Sequence, residues 1–297
     1  MKEDCNTSTP ASNRPLLANG LECVTYAGFN QGQYGDIFIG LTAARVLKRL
    51  QPNCRLLLSI NKRYQDCQEI FKHSKDVDGV VIWDTYNDFP RENDKPLIRK
   101  INGIYDDFQM FKPMPQHVRG DWYNHWHQTE EICRMHKLPP PTEEEMNFKL
   151  LKPEVEQGNY VCICPATSFG QNKNLTPEII NEIKVFCSEK NLELIQVSGP
   201  EDPLVDGAER FVGSFHESIL KVLGSKFLVS ADTGMIWAIS AFSHPTVGFY
   251  SHRFYPDAET STNWRPKNTR QISLESDFIK NIDMKSVANA LERVYDV

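Results

Sequence analysis

The chain has 297 residues, of which 40% are hydrophobic and 24% are charged, a balance typical of a soluble globular protein of one or two domains. The formal net charge of −6 excludes a globally basic surface that would attract nucleic acid, although a local basic cleft is compatible with it. No apolar run approaches the roughly 20 residues that a membrane-spanning helix needs. We therefore expect a cytoplasmic protein without an integral membrane segment.

The first 20 residues and the cysteines carry little functional signal. Residues 1–20 are rich in Asn, Ser, Thr and Pro and lack an apolar core, so a flexible tail is expected rather than a secretory signal.

The eight cysteines include no Cys-x-x-Cys pair. Cys162 and Cys164 fall in a predicted strand, where both side chains face the same way. Buried free thiols in a reducing compartment are the expected use.

The first half of the chain alternates strand and helix signals. The predicted strands are 21–27, 54–60 and 80–83, and the predicted helices are 35–51 and 64–73. This β-α-β-α-β order is half of a doubly wound parallel sheet. The proline-rich stretch 84–115 is predicted to hold loops and short elements, and a further helix is predicted over 126–136.

The second half repeats the alternation. The predicted strands are 160–165, 192–198, 227–230 and 246–250, and the predicted helices begin at Thr176, Ser218, Met235 and Phe278. The stretch 138–159, with three consecutive prolines and three consecutive glutamates, is the predicted linker. The predicted domains are a tail (1–20), an N-terminal Rossmann-like domain (21–155), a C-terminal Rossmann-like domain (156–275) and a C-terminal helix (276–297).

Asp232-Thr233-Gly234 stands where a predicted strand passes into a predicted helix. The first-turn amides of a helix lack backbone partners and the helix dipole is positive there, so an anion such as a diphosphate fits. An ordinary helix cap, in which Asp232 or Thr233 bonds to those amides, explains the same residues. Both interpretations remain open on the sequence.

Asp36 occupies the equivalent turn of the first half, after the first predicted strand. In an open parallel sheet that turn faces the ligand, and a carboxylate there can orient or deprotonate an attacking hydroxyl. A cap is again the alternative, and the helix N-terminus lowers the pKa of such a carboxylate, which weakens it as a base.

Two further residues follow strands of the second half. Lys173 precedes the helix that Thr176 and Pro177 open, where a mobile ammonium group can reach a phosphate; a solvated surface lysine is the alternative. Glu201 follows the next strand, where a carboxylate can accept hydrogen bonds from ribose hydroxyls.

No metal site is predicted. Asp76-Val77-Asp78 has the Asp-x-Asp pattern of a metal clamp, but it precedes its strand, which places the carboxylates at the wrong end of the sheet. His125 and His127 are two residues apart and would not share a helix face.

The order of these motifs resembles glycosyltransferase family 9, the heptosyltransferase-like enzymes of the GT-B fold. Gly35-Asp36 matches the family's Gly-Asp at the first turn, and Lys173 with Pro177-Glu178 matches its Lys and Pro-Glu pair. Asp232-Thr233-Gly234, followed after a helix by Pro245-Thr246-Val247, matches its most specific signature. The resemblance covers roughly residues 21–297.

The resemblance implies an α/β protein of the GT-B fold, with two Rossmann-like doubly wound domains facing each other across a cleft. It implies metal-independent, inverting transfer of a sugar from a nucleotide-diphospho-sugar to an acceptor hydroxyl, with Asp36 as the catalytic base and no cofactor. The residues predicted to contact the donor are Thr167, Ser168, Lys173, Glu201, Gly213, Ser214, Asp232, Thr233, Gly234 and Met235. The acceptor could be a glycan, a lipid-linked sugar, a protein or a modified nucleic-acid base.

Two alternatives stay open. Trp237 stands where the family usually has a histidine, which is compatible with a catalytically silent protein that binds a nucleotide-sugar. A nucleotide-sugar epimerase of similar fold would convert the donor without any acceptor. The slow hydrolysis of donor that transferases show distinguishes the first alternative, and product analysis without acceptor distinguishes the second.

Overall fold

The structure is a computed structural model, and all structural statements below concern the residues that it describes. These are residues 25–28, 34–50, 52, 55–71, 74, 76–83, 108–110, 129–130, 133, 138–147, 150–167, 173–199, 201–252, 265–267 and 270–297. The predicted helix over 126–136 lies mostly outside this set, as do the tail and the part of the first predicted strand before residue 25.

Four described strands form a parallel sheet near the N-terminus, in the order β3-β2-β1-β4. They are β1 (Thr25–Gly28), β2 (Arg55–Asn61), β3 (Gly79–Trp83) and β4 (Phe108–Met110). Helix α1 (Tyr34–Leu50) connects β1 to β2, and a 3-10 turn (Lys62–Cys67) leads into the short α2 (Gln68–Phe71). This is the N-terminal lobe.

Six described strands form a second parallel sheet, in the order β10-β9-β8-β5-β6-β7. They are β5 (Tyr160–Cys164), β6 (Glu193–Val197), β7 (Glu209–Phe211), β8 (Leu228–Ala231), β9 (Thr246–Ser251) and β10 (Gln271–Ser276). The central strands β5, β8 and β9 are buried along their full length, as expected of mainly apolar strands that are covered on both faces. This is the C-terminal lobe.

Helices cover both faces of the second sheet. The helices are α4 (Pro177–Glu189), α5 (Phe215–Leu223), α6 (Gly234–Ser240) and α7 (Met284–Tyr295). Apolar residues of α4 and α7 form one core with one face of the sheet, and those of α5 and α6 pack on the other face. Thr176 caps α4 with Pro177 in its first turn, as predicted.

The two lobes share a continuous core. One cluster of buried side chains runs from α1 through α6 to the inner face of the second sheet. Helix α1 is buried from Ile37 to Ala44, which explains the broad apolar stripe of its sequence. The lobes are therefore in direct contact along α1 and α6.

Three sequence predictions differ from the structure. In its described part, residues 64–71, the helix predicted over 64–73 is a 3-10 turn followed by one α-helical turn. The final helix begins only at Met284, because Asp283 caps it and a 3-10 turn precedes it. The strands β7 and β10 were not predicted, because both lie towards the sheet edges, are only partly buried and lack a long apolar run.

The predicted linker contains a short helix, α3 (Glu143–Met146), which packs beside α1. Arg49 forms an ion pair with the buried Glu145, with Nε 2.7 Å from Oε1, and Arg45 donates to backbone carbonyl groups of the same segment. Arg45 and Lys48 also pair with Asp76 and Asp78. The two carboxylates of the Asp-x-Asp pattern thus serve to dock α1.

The topology creates one switch point in each sheet. In the first, the chain leaves β1 towards β2 and later returns to β4 on its other side; in the second, β5 and β8 are neighbours and their connections leave in opposite directions. Ligands of open α/β sheets bind outside the carboxyl ends of the strands at such points. The loops there lead to the start of α1, to Lys173 and to the start of α6.

Two further findings complete the fold. Within the described residues, no helix is both long and apolar enough to cross a bilayer. The five cysteines that the structure describes are buried free thiols, and burial raises the pKa of Cys162 to about 12 and that of Cys187 to about 11. This confirms the prediction of buried thiols for these positions.

The buried histidine between α6 and β9 should make stability depend on pH. The ring of His244 lies 3.2 Å from Ser225 Oγ, and burial first, then Lys152 and Arg270, lower its pKa to about 3. The unfolded chain therefore takes up a proton near pH 6.5 that the folded chain refuses, and stability is lost as pH falls from there towards 3. Between pH 7.5 and pH 5 we expect a loss of about 2 kcal/mol.

The measurement is urea unfolding of the wild type and of His244→Gln at both pH values. Subtracting the pH-dependent change in the free energy of unfolding of His244→Gln from that of the wild type cancels the contributions of the other titrating groups. Equal pH slopes would show that folding does not lower the pKa of His244.

Candidate functional site

The candidate site lies where the starts of α1 and α6 meet, between the two switch points. A Cβ built on Gly234 would lie 2.8 Å from Tyr34 Cβ and 3.0 Å from the Gly35 amide nitrogen. A Cβ built on Gly35 would lie 3.2 Å from Trp237 Cδ1. The backbones of the two lobes therefore touch at two glycines that the sequence motifs had singled out separately.

Lys173 and Asp232 form a buried ion pair beside this contact. Lys173 Nζ lies 2.9 Å from Asp232 Oδ2, and the two side chains are only 9% and 12% exposed. The sequence left open whether Lys173 is a solvated surface residue, and its burial excludes that alternative. Tyr250 lies in the same region, where burial and then the Asp232 carboxylate raise the pKa of its phenol.

The start of α6 has no side-chain cap. Thr233 is the N-cap residue but its side chain makes no capping hydrogen bond; its Oγ1 lies 3.0 Å from Ser230 Oγ instead. Asp232 is engaged by Lys173. The cap interpretation of this motif is therefore disfavoured, and the first-turn amides of α6 are available to another acceptor.

The other predicted donor residues are distributed around the same edge of the sheet. The Thr167 amide donates to Asn174 Oδ1 at 2.9 Å, which closes the loop between β5 and α4. Glu201 is exposed in the turn after β6. Gly213 and Ser214 precede α5, and Ser214 forms a capping box with Glu217. Ser168 lies outside the described residues.

Asp36 is the third residue of α1, which places its backbone next to Gly35 and the interlobe contact. Its side chain lies outside the described part of the chain. The role of Asp36 as a base stays a prediction.

The sequence did not single out three residues that meet beside this contact, Tyr34, Asp66 and Phe215. Tyr34 could have been noticed, because it precedes the Gly35-Asp36 motif. Asp66 carries no sequence signal, since it lies in a 3-10 turn that has no helical apolar spacing. Phe215 was read as part of a turn.

The arrangement places hydrogen-bond donors and an ammonium group where an anion can bind. Lys173 supplies a positive charge that is neutralised by Asp232, and the free amides of α6 supply further hydrogen-bond donors. The start of α1, which contains Asp36, faces the first turn of α6 from the other lobe.

Comparison with known proteins bears on the fold. No family model matches the sequence. A stretch of 124 residues is 24% identical to the Escherichia coli (strain K12) protein named "Putative lipopolysaccharide heptosyltransferase 4". That stretch covers 38% of this chain and only 35% of that protein.

Solved structures are similar over nearly the whole chain. Glycosyl transferase family 9 from Veillonella parvula DSM 2008 has a TM-score of 0.68 and 13% identity over 92% of this chain and 97% of its own. ADP-heptose lipopolysaccharide heptosyltransferase II of E. coli has a TM-score of 0.62 and 12% identity over 92% and 98%. The dodecameric iron-containing glycosyltransferase TibC of E. coli H10407 has a TM-score of 0.55 and 13% identity over 92% and 75%.

These similarities confirm the predicted fold, α/β with parallel sheets in the arrangement of the GT-B heptosyltransferases. Structures of glycosyltransferase family 9 share this fold over nearly their full length, which agrees with the resemblance that the motifs indicated.

The buried ion pair should show strong energetic coupling. Lys173→Met leaves the Asp232 carboxylate buried without its cation, and we expect a loss of about 3 kcal/mol in the free energy of unfolding. Adding Asp232→Asn should restore most of that loss, because no buried charge then remains. Urea unfolding of the wild type, both single variants and the double variant gives the coupling energy. A coupling below about 0.5 kcal/mol would mean that the pair is not formed in solution.

Proposed function

We propose that the chain is a nucleotide-sugar glycosyltransferase of family 9, which transfers a sugar from an ADP-sugar to an acceptor hydroxyl. The observation that carries the proposal is the Lys173–Asp232 pair beside the uncapped start of α6, facing the start of α1 across the lobe contact of a GT-B fold. The choice of ADP follows from the similar E. coli enzyme, which is named for ADP-heptose.

The donor lies mainly on the C-terminal lobe in this proposal. Lys173 and the amides of Thr233, Gly234 and Met235 bind the diphosphate, and Thr167 and Ser168 are further proposed contacts of the donor. Glu201, exposed after the neighbouring strand, accepts from the ribose hydroxyls, and Gly213 and Ser214 border the nucleotide. Preorganised hydrogen-bond donors of this kind stabilise the negative charge that develops on the departing diphosphate. Each of them can contribute about 3 kcal/mol.

Transfer is proposed to need no metal. In many transferases a divalent cation binds the diphosphate, and here the ammonium group of Lys173, with Asp232 as its counter-ion, and the first-turn amides of α6 are proposed to take its place. The similar protein TibC is described as iron-containing, so the proposal requires a direct test. Transfer measured after dialysis against a chelator should be unchanged, and restoration of activity only by added metal would refute metal independence.

Asp36 takes the proton of the acceptor hydroxyl in the proposed step. The acceptor oxygen attacks the anomeric carbon as the bond from that carbon to the diphosphate breaks. Attack opposite to the leaving group in a single displacement inverts the anomeric configuration. The acceptor, whether a glycan, a lipid-linked sugar, a protein or a modified base, then binds on the α1 side of the contact.

Replacing the proposed base should affect chemistry and spare binding. Asp36→Ala is expected to lower kcat by about 10²- to 10⁴-fold, because positioned proton transfer contributes that much. The affinity for ADP should stay close to that of the wild type. Asp206→Ala, which removes a fully exposed carboxylate of the C-terminal lobe, is the matched control. Wild-type turnover by Asp36→Ala would remove this residue from the mechanism.

A thermal-shift screen tests the donor class. A ligand that binds only the folded chain stabilises it, by about 2.7 kcal/mol at a concentration of 100 times Kd, and so raises Tm. ADP and ADP-sugars should raise Tm more than UDP, GDP or their sugars, and Lys173→Met should lose most of the shift. No shift with any nucleotide diphosphate would contradict the proposal.

Product analysis separates the remaining alternatives. Bound donor that stays intact indicates a silent binding protein, and donor converted to an isomer without acceptor indicates an epimerase. Slow release of ADP and free sugar supports a transferase.

A further inference from the structure

Tyr34 is held between the two lobes at the first residue of α1. Its ring stacks on the Phe215 ring of the C-terminal lobe, with centroids 3.7 Å apart and planes 15° from parallel. The ring of Tyr64, from its own lobe, lies edge-on at 4.7 Å. Aromatic pairs of this kind contribute beyond the area that they bury, so Tyr34 couples the lobes by packing.

Asp66 adds a polar connection between the same elements. Tyr34 OH donates to Asp66 Oδ1 and Oδ2 at 3.1 and 3.3 Å. The Phe215 amide, the first in α5, donates to Asp66 Oδ2 at 2.7 Å. The Asp66 carboxylate of the N-terminal lobe therefore accepts hydrogen bonds from both lobes. It also lies at the N-terminus of α5, where the helix dipole favours a negative charge.

The Tyr34 phenol stays protonated, so its hydrogen bond to Asp66 is kept over the working pH range. Burial, and then the neighbouring Asp66 carboxylate, raise the pKa of Tyr34 far above its usual range. The phenol therefore remains a hydrogen-bond donor. The contact also depends on Gly234, because a Cβ there would lie 2.8 Å from Tyr34 Cβ.

Tyr34 lies close to the proposed site residues of both lobes. Tyr34 is two residues before Asp36 in the first turn of α1, and Gly234, which its Cβ touches, is two residues after Asp232. A shift of Tyr34 relative to Phe215 therefore moves the start of α1 relative to the donor turn.

We propose that Tyr34, Asp66 and Phe215 form an interlobe latch whose function is to position Asp36 against the donor-binding turn. They are positioning residues that act through the first turn of α1. This inference rests on the proposed transferase function. It predicts that breaking the latch lowers kcat while leaving donor binding, which lies mainly on the C-terminal lobe, nearly unchanged.

The first arm of the test measures the latch without any substrate. Amide hydrogen exchange of peptides that contain Phe215 and the first turn of α1 is compared in the wild type, Asp66→Asn and Asp66→Ala. Because Asn keeps one acceptor oxygen and Ala keeps none, protection should fall in that order. Asp206→Asn is the control, since its fully exposed carboxylate pairs with Lys184 of α4 and not with a latch residue.

The second arm measures transfer by Tyr34→Phe, Asp66→Asn and Asp66→Ala. Tyr34→Phe keeps the stacked ring and removes only the hydroxyl. We expect kcat to fall by about 10- to 100-fold in the Ala variant and less in the two conservative variants, because a misplacement of about 1 Å can cost that much. The KM for the donor should stay within about twofold of the wild-type value.

Gly234→Ala, in which the new methyl meets Tyr34, gives an independent way of displacing the first turn of α1. It should increase exchange in the same two peptides.

The two arms separate the possible failures. Unchanged exchange in Asp66→Ala would overturn the latch itself. Loss of protection with unchanged kcat would overturn its positioning role. A larger rise in KM than fall in kcat would indicate a donor-binding role and also overturn it. If the wild type transfers no sugar from any donor, the proposed function fails, and the positioning role fails with it, whereas the exchange arm still decides whether the latch exists.

Discussion

The contact between Gly35 and Gly234 is the constraint on which the rest of the site depends. A Cβ on Gly234 would approach atoms of the other lobe to within 3.0 Å or less, and a Cβ on Gly35 would lie 3.2 Å from Trp237 Cδ1. The starts of α1 and α6 can therefore approach until their backbones touch. This brings the two switch points of two separate sheets to one place, which no element of either lobe could achieve alone.

Around this contact, apolar packing and buried charge have different roles. The shared core of α1, α6 and the second sheet supplies the burial that holds the lobes together. The Lys173–Asp232 pair adds little net stability, because desolvation of two charges offsets most of their attraction. Its proposed value is an ammonium group that Asp232 holds in a buried position, next to the first turn of α6, which the side chain of Thr233 does not cap. Asp66 places a second carboxylate at a helix start, where it connects the lobes.

Sequence patterns were reliable wherever burial imposed a clear period. The continuous apolar runs of β5 and β8 and the broad stripe of α1 gave the elements and their order, with bounds within a few residues. Patterns were less reliable where side chains are half-buried, as in β7 and β10, or where a 3-10 turn replaces a helix, as at Tyr64. The motif residues Lys173 and Asp232 were found, but their pairing was not, since they are 59 residues apart and spacing carries no information at that distance.

By itself the sequence determined the fold class of the protein and predicted the turns that are proposed to carry its chemistry. Strand-to-helix turns have local signatures, because the residues at a helix start and the period of the neighbouring apolar side chains lie within one segment. Only the tertiary structure decided what those turns meet. The burial of Lys173, the lack of a cap on α6 and the meeting of Tyr34, Asp66 and Phe215 depend on how two lobes pack. Such contacts join residues that are distant along the chain, and their energies depend on a geometry that no single segment specifies.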